Sequence, residues 1–148
     1  MNLKQEFFLF TDGMEHLISD FQQEKGYIFY FFPKAATPGC TLETVTYNNY
    51  YQKFLAVGYN VIGISRNDLK KQTKFQQNHA VKFPMICDID AKLCQMFGVL
   101  KQKKMFNNVY MGIERSTFLI NNDFEVIQEW RKVAPVKHIN EVLAAVNQ

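Results

Sequence analysis

Apolar positions along this chain follow two rhythms. Tyr27-Ile28-Phe29-Tyr30-Phe31-Phe32 is an unbroken aromatic and β-branched run, the pattern of a strand buried on both faces of a parallel sheet. Pro33, which has no backbone N–H, ends that ladder. From Tyr47 the rhythm becomes helical, with Tyr47, Tyr50, Tyr51, Phe54 and Leu55 on one face and Gly58 placed to close the helix. Two more strand-to-helix units follow. Asn60 to Ser65 leads to a helix opening near Asp68, and Phe83 to Cys87 leads to Ala91 through Phe97, capped around Gly98. The ends of the chain read differently. Phe7 to Thr11, Asp12-Gly13 and Met14 to Ile18 predict a hairpin with a primed turn. Ser116 to Ile120, Asn121-Asn122-Asp123 and Glu125 to Arg131 predict a second hairpin, and Val136, Ile139, Leu143 and Val146 mark one face of a last helix.

This order predicts an α/β fold, a mixed central sheet flanked by helices with an N-terminal β-hairpin, in which right-handed crossovers keep the loop after Phe32 at the sheet's carboxyl edge. At 148 residues one domain is expected, residues 1–148, large enough to bury roughly 68 to 70 per cent of the surface its unfolded chain exposes. Fourteen Phe and seven Tyr make its core unusually aromatic.

Composition narrows the partners. No stretch approaches 18 consecutive apolar residues, and the opening Met1 to Phe7 lacks the apolar core of a signal peptide, so a cytoplasmic protein without a membrane partner is expected. Three cysteines without paired spacing suit a reducing compartment, and three histidines without a Cys-x-x-Cys offer no structural metal site. No cofactor is implied. The net charge of +3 has one basic cluster, Lys101-Gln102-Lys103-Lys104, read as a solvated loop rather than a nucleic-acid surface. His79 and His138 are expected as partly exposed helix residues, and Trp130 as packing.

Chemistry concentrates in Pro33-Lys34-Ala35-Ala36-Thr37-Pro38-Gly39-Cys40-Thr41-Leu42-Glu43, which carries a cysteine from a strand's end into the first turn of a helix. A free thiol with pKa near 8.5 is about 3 per cent thiolate at pH 7, and a pKa near 6 would make it roughly 90 per cent, a difference of about 3.4 kcal/mol. A helix terminus supplies about 0.3 to 1 kcal/mol and at most about 2. A reactive Cys40 would therefore need a hydroxyl donor, for which Thr37 is the candidate, and a fixed positive charge, for which Arg115 is the candidate. Amides near Gly39 and Cys40 would follow developing charge, Pro33 and Pro38 would stiffen the loop, and Glu43 would accept from loop amides or order the helix start. A thioredoxin-type exchange centre is disfavoured because the residue three after Cys40 is Glu43, and a cysteine phosphatase because no basic residue follows before Lys53. A non-turnover redox sensor or interaction module using Cys40 remains the rival reading.

Pro33, Thr37 and Cys40 match the Pro-x-x-x-Thr-x-x-Cys signature of peroxiredoxins, and Thr-Pro-Gly-Cys-Thr-x-Glu resembles their bacterioferritin-comigratory-protein, or peroxiredoxin Q, branch within the AhpC/TSA superfamily. Val61 to Ser65, Phe83-Pro84 with Asp88, Phe97-Gly98-Val99, Gly112 to Ile120, and Trp130 to Val133 with His138 fall in that family's order. The resemblance implies a thioredoxin-like fold and thiol-dependent reduction of hydrogen peroxide and organic hydroperoxides. Cys40 would be the peroxidatic cysteine and Arg115 the distal arginine, with thioredoxin or a small thiol as reductant and a monomer or homodimer as assembly. For Arg115 to meet Cys40, the strand opening at Ser116 must lie antiparallel to Tyr27–Phe32. Where many members carry a resolving cysteine, five residues after the first, this chain has Val45, and the alternative site falls near Gln76. Cys87, with Cys94 in the helix beyond it, is then the remaining internal candidate. The implied strand order puts Cys87 two strands away, about 10 Å, past the roughly 7 Å Cα limit for a disulfide. A one-cysteine cycle is the expectation.

Overall fold

A computed structural model describes residues 2–147. Its centre is a five-stranded sheet in the order β5-β4-β3-β8-β9. β3 (Gly26–Phe31), β4 (Tyr59–Ser65) and β5 (Met85–Cys87) run parallel, and β8 (Ser116–Asn121) and β9 (Val126–Arg131) complete it in antiparallel fashion. Every residue of β3 and β4 is buried, which explains why their sequences run apolar without alternating.

Period-two geometry splits β3 between two cores. Tyr27, Phe29 and Phe31 face one side with Ile62, Ile64, Phe118, Ile120, and Leu93 and Phe97 from and just after α3 (Lys92–Met96). Ile28, Tyr30 and Phe32 face the other, against α1 (Pro38–Ala56), Phe75 of α2 (Leu69–Asn78) and α4 (Ile139–Val146). Helices thus cover both faces, as the sequence pattern predicts. Trp130 packs in the second core, 8 % exposed. Beneath α1 the Tyr30 ring stacks on Tyr47 at 4.6 Å between centroids, and its hydroxyl bonds Thr44 at 2.9 Å.

The helix ends follow their residues. Asp68 caps α2 by accepting from the Lys71 amide at 2.8 Å. Gly58, at φ +92°, closes α1 with its amide on the Leu55 carbonyl.

Two expectations change. β1 (Phe7–Leu9) and β2 (Glu15–Leu17) form the N-terminal hairpin, but its connection is not a primed two-residue turn. The Phe10 amide still reaches the Met14 carbonyl, leaving three residues in the loop. The Gly13 amide closes a turn on the Phe10 carbonyl, and Gly13 takes φ +82°, the three-residue arrangement with a left-handed last position. The Lys101–Lys104 segment is not a loop. It lies in β6 (Leu100–Met105), paired with β7 (Asn108–Ile113) as a ribbon separate from the main sheet. Most of the ribbon is exposed, so no buried face imposed an apolar alternation that could reveal it.

Tyr30 also limits its neighbour on β4. A Cβ added at Gly63 would stand 2.9 Å from the Tyr30 hydroxyl and 3.0 Å from two of its ring carbons. Because that ring is fully buried between Tyr47, Phe32 and Phe83, Gly63→Ala should lower the unfolding free energy by about 1–3 kcal/mol, read from the urea midpoint. An unmoved midpoint would show that the ring has room to step aside.

Candidate active site

The site is built where β3 ends. The Phe32 amide makes one last sheet bond, to the Ile64 carbonyl, and Pro33 then takes the chain out of the ladder. Ala36 sits at φ +66° within the loop. Thr37 is the extended residue before α1, with Pro38 in the first helical position, where a missing N–H costs nothing. Cys40 is therefore the third helical residue, its side chain 1 % exposed.

Arg115 reaches it from across the sheet. β3 and β8 pair so that Phe31 stands opposite Ser116, which sets the residue before Ser116 beside the end of β3. The guanidinium then divides between two partners. Nη2 donates to Cys40 Sγ at 3.4 Å, and Nη1 donates to Glu43 Oε1 at 2.7 Å. Gly39 leaves space for it, since a Cβ there would stand 3.2 Å from Nη2 and 3.3 Å from Pro135. The sequence-based pairing of Arg115 with Cys40 is thus present in the fold.

Thr37 and Glu43 sit otherwise than expected. The Thr37 hydroxyl donates to the Lys34 carbonyl at 2.7 Å, so its proton is committed within the loop and its lone pairs are what it can offer outward. Glu43 takes no loop amide. It is fully buried, lying on the apolar stripe one turn before Tyr47, and its role is to anchor Arg115. Burial drives the Glu43 carboxyl up to about 8, with the Arg115 charge pulling against it. Burial also opposes the Arg115 charge, but Glu43 and Cys40 together more than offset it and hold the guanidinium ionised.

His138 is the functional-site residue that the pattern missed. It is 4 % exposed in the turn before α4, not a partly exposed helix residue. Its Nε2 lies 2.9 Å from the Tyr47 hydroxyl, 3.1 Å from Thr117 Oγ1 and 3.5 Å from Glu43 Oε2. Burial lowers its pKa, and the Arg115 charge adds to that. The signal for its neighbourhood was Glu43 itself, an acid in phase with Tyr47, Tyr50 and Phe54 that would need a polar partner once buried.

Pro33 and Arg115 line an open cleft of about 390 Å³ whose other walls include Lys101, Lys103 and Lys132. Val45 lies on α1, half-buried. Cys87 ends β5, two strands from β3, and Cys94 is in α3; both are buried free thiols. Burial pushes Cys87 up to about 11, with Asp68 adding to it, and pushes Cys94 further still, with Asp88 adding there. Among the described residues no group of three or more His, Cys, Asp or Glu side chains is placed to hold a metal ion, and no helix is long and apolar enough to cross a membrane.

Comparison with known proteins supplies the family. The AhpC/TSA family model matches residues 5–129. Peroxiredoxin Bcp of Xanthomonas campestris pv. campestris is 40% identical over 119 residues, 80% of this chain and 74% of that protein. Peroxiredoxin Bcp of Bacillus subtilis is 40% identical over 126 residues, covering 85% and 80%. A solved structure of Xanthomonas campestris peroxiredoxin Q superposes with a TM-score of 0.89 at 34% identity, covering 98% of this chain and 91% of that one. A second, of the bacterioferritin comigratory protein of that organism, was described for its alkyl peroxide reduction activity and superposes at 0.88 with 33% identity over 98% and 92%. With a family model matching residues 5–129 and relatives 40% identical over most of its length, the chain belongs to the AhpC/TSA family, in its bacterioferritin-comigratory-protein, or peroxiredoxin Q, branch.

Proposed function

We propose that this chain, a thiol-dependent peroxidase, reduces hydroperoxides at Cys40, and that the observation carrying the assignment is the Arg115 guanidinium shared between Cys40 Sγ and the buried Glu43 carboxyl. The Cys40 thiolate attacks one oxygen of ROOH in line. The S–O bond forms as the O–O bond breaks, giving the sulfenic acid after proton transfer and expelling hydroxide or alkoxide. Negative charge moves from sulfur to the departing oxygen. A guanidinium already beside sulfur follows that charge without reorienting, because Glu43 holds its other nitrogen. With its own proton on the Lys34 carbonyl, Thr37 would accept the hydroperoxide O–H and orient it. Pro33 and Pro38 fix the loop that presents this hydroxyl, and Gly39 keeps room for the arginine.

A one-cysteine cycle fits the remaining thiols. Val45 cannot resolve the sulfenic acid, and Cys87 and Cys94 are buried, with thiolate formation suppressed in both. An external thiol R′SH would condense with the sulfenic acid to a mixed disulfide and water. A second R′SH would then release Cys40 as the thiol and R′SSR′. Thioredoxin or a small thiol fits that role, in a reducing compartment such as the cytoplasm.

Cys40→Ser should leave the far-ultraviolet spectrum unchanged and reduce peroxide consumption to background, because a serine hydroxyl is not ionised at neutral pH. Undiminished consumption would remove Cys40 from the reaction. A wild-type protein that consumes one equivalent and stops, with thioredoxin or a small thiol supplied, would be a sensor rather than an enzyme.

Arg115→Lys should slow peroxide reduction by on the order of 10- to 100-fold although charge is retained, since an ammonium cannot span sulfur and carboxylate as the planar fork does. Wild-type kinetics in a stopped-flow assay would take Arg115 out of the site.

After one equivalent of peroxide, non-reducing mass spectrometry should show the gain of one oxygen and reaction with a sulfenate trap. Loss of two hydrogens, with peptide mapping joining Cys40 to Cys87 or Cys94, would replace the one-cysteine cycle by one in which the start of α1 unfolds.

A further inference from the structure

The two carboxyl oxygens of Glu43 have different surroundings. Oε1 accepts from Arg115, whereas Oε2 is buried without a hydrogen-bond partner among the described residues and faces His138 Nε2 at 3.5 Å. His138 Nδ1 lies 2.6 Å from the Ala134 carbonyl, which can only accept, so Nδ1 carries a proton. In a neutral imidazole Nε2 is then a bare lone pair. The Tyr47 and Thr117 hydroxyls can each supply it a hydrogen. An ionised Glu43 cannot, and would set lone pair against lone pair in a place water does not reach. One proton between Oε2 and Nε2 removes the conflict, whichever atom holds it.

Charge counting leads to the same place. The groups around Glu43 are Arg115 from the start of β8, His138 from the turn before α4, Tyr30 from β3, and Cys40 and Tyr47 from its own helix. Arg115 is the one permanent cation among them. With both Glu43 and the Cys40 thiol ionised, a single guanidinium would face two buried anions. With a proton held between Glu43 and His138, guanidinium and thiolate balance one to one.

We propose that Glu43 and His138 hold one proton between them in the resting enzyme, carried on Glu43 Oε2, so that the Arg115 charge is left to the Cys40 thiolate and His138 acts as a positioning residue for the site. Burial favours the neutral form of both partners, which places that proton on Oε2 as donor to Nε2. This rests on the peroxidase reading for its meaning, but its test requires no turnover.

The test is an infrared difference spectrum at pH 7. Wild type minus Glu43→Gln should carry the band of a protonated carboxyl, and wild type minus His138→Phe should show that band displaced to higher frequency as the acid loses its acceptor, so one folded variant suffices. In parallel, the thiolate absorbance of Cys40, taken as the difference from Cys40→Ser, should rise over the same pH range in Glu43→Gln as in wild type, because one neutral group replaces another. No carboxyl band, or a thiolate that forms about one pH unit or more lower in Glu43→Gln, would show that Glu43 is ionised and overturn the proposal. The carboxyl band in a wild-type protein that consumes no peroxide would uphold the shared proton and sink the peroxidase reading instead.

Discussion

The antiparallel pairing of β3 with β8 is the constraint on which the rest depends. Cys40 is near Phe32 by sequence, but Arg115 is 75 positions further on and reaches it only because Phe31 stands opposite Ser116. A slip of one residue would turn every side chain of β8 to the other face, so Thr117 would leave Tyr47 and Phe118 would leave the opposite core. Both faces of β8 are buried, and that double burial pins the register. The reactive geometry is thus a consequence of packing the sheet and needs no separate device.

Holding a guanidinium there is costly. Removing a charge from water costs several kcal/mol unless a partner compensates, and a lone buried arginine beside a thiol would turn toward solvent. Glu43 prevents that turn by accepting from Nη1 at 2.7 Å from a fully buried position, a hydrogen bond that holds the guanidinium facing Cys40. It is itself steadied by a polar floor in which Tyr30 bonds Thr44, and Tyr47 links Thr117 with His138. Stacking of Tyr30 on Tyr47 joins that floor to the aromatic core, so the unusual aromatic content serves the site as well as stability. Rigidity below and a charge already in position are what electrostatic preorganisation asks for.

What was legible in the sequence is what depends on neighbours along the chain. The run Tyr27 to Phe32, the break at Pro33 and the helix carrying Cys40 are local patterns, and each stands where the pattern puts it. Arg115 could be paired with Cys40 only through the family resemblance, because the contact is made by strand pairing. Glu43 was visible as an acid in a helical stripe, yet its partner was not, since it is chosen by where the turn before α4 lands. His138 lies in a turn without periodicity, and its burial comes from tertiary packing alone. The β6–β7 ribbon leaves no such mark, because a strand exposed on both faces carries no apolar alternation.

In this geometry Arg115 stabilises the charge leaving on oxygen, beyond any effect on how much thiolate Cys40 carries. The direct measurement compares two electrophiles at one pH, a hydroperoxide and iodoacetamide, each reacting with wild type and with Arg115→Ala. Iodide is a diffuse anion and a poor hydrogen-bond acceptor, whereas the departing oxygen is compact and basic. The alanine variant should lose on the order of 100-fold or more in its rate with the hydroperoxide and far less with iodoacetamide. Equal losses with both reagents would contradict this, reducing Arg115 to a group that acts on the thiol alone.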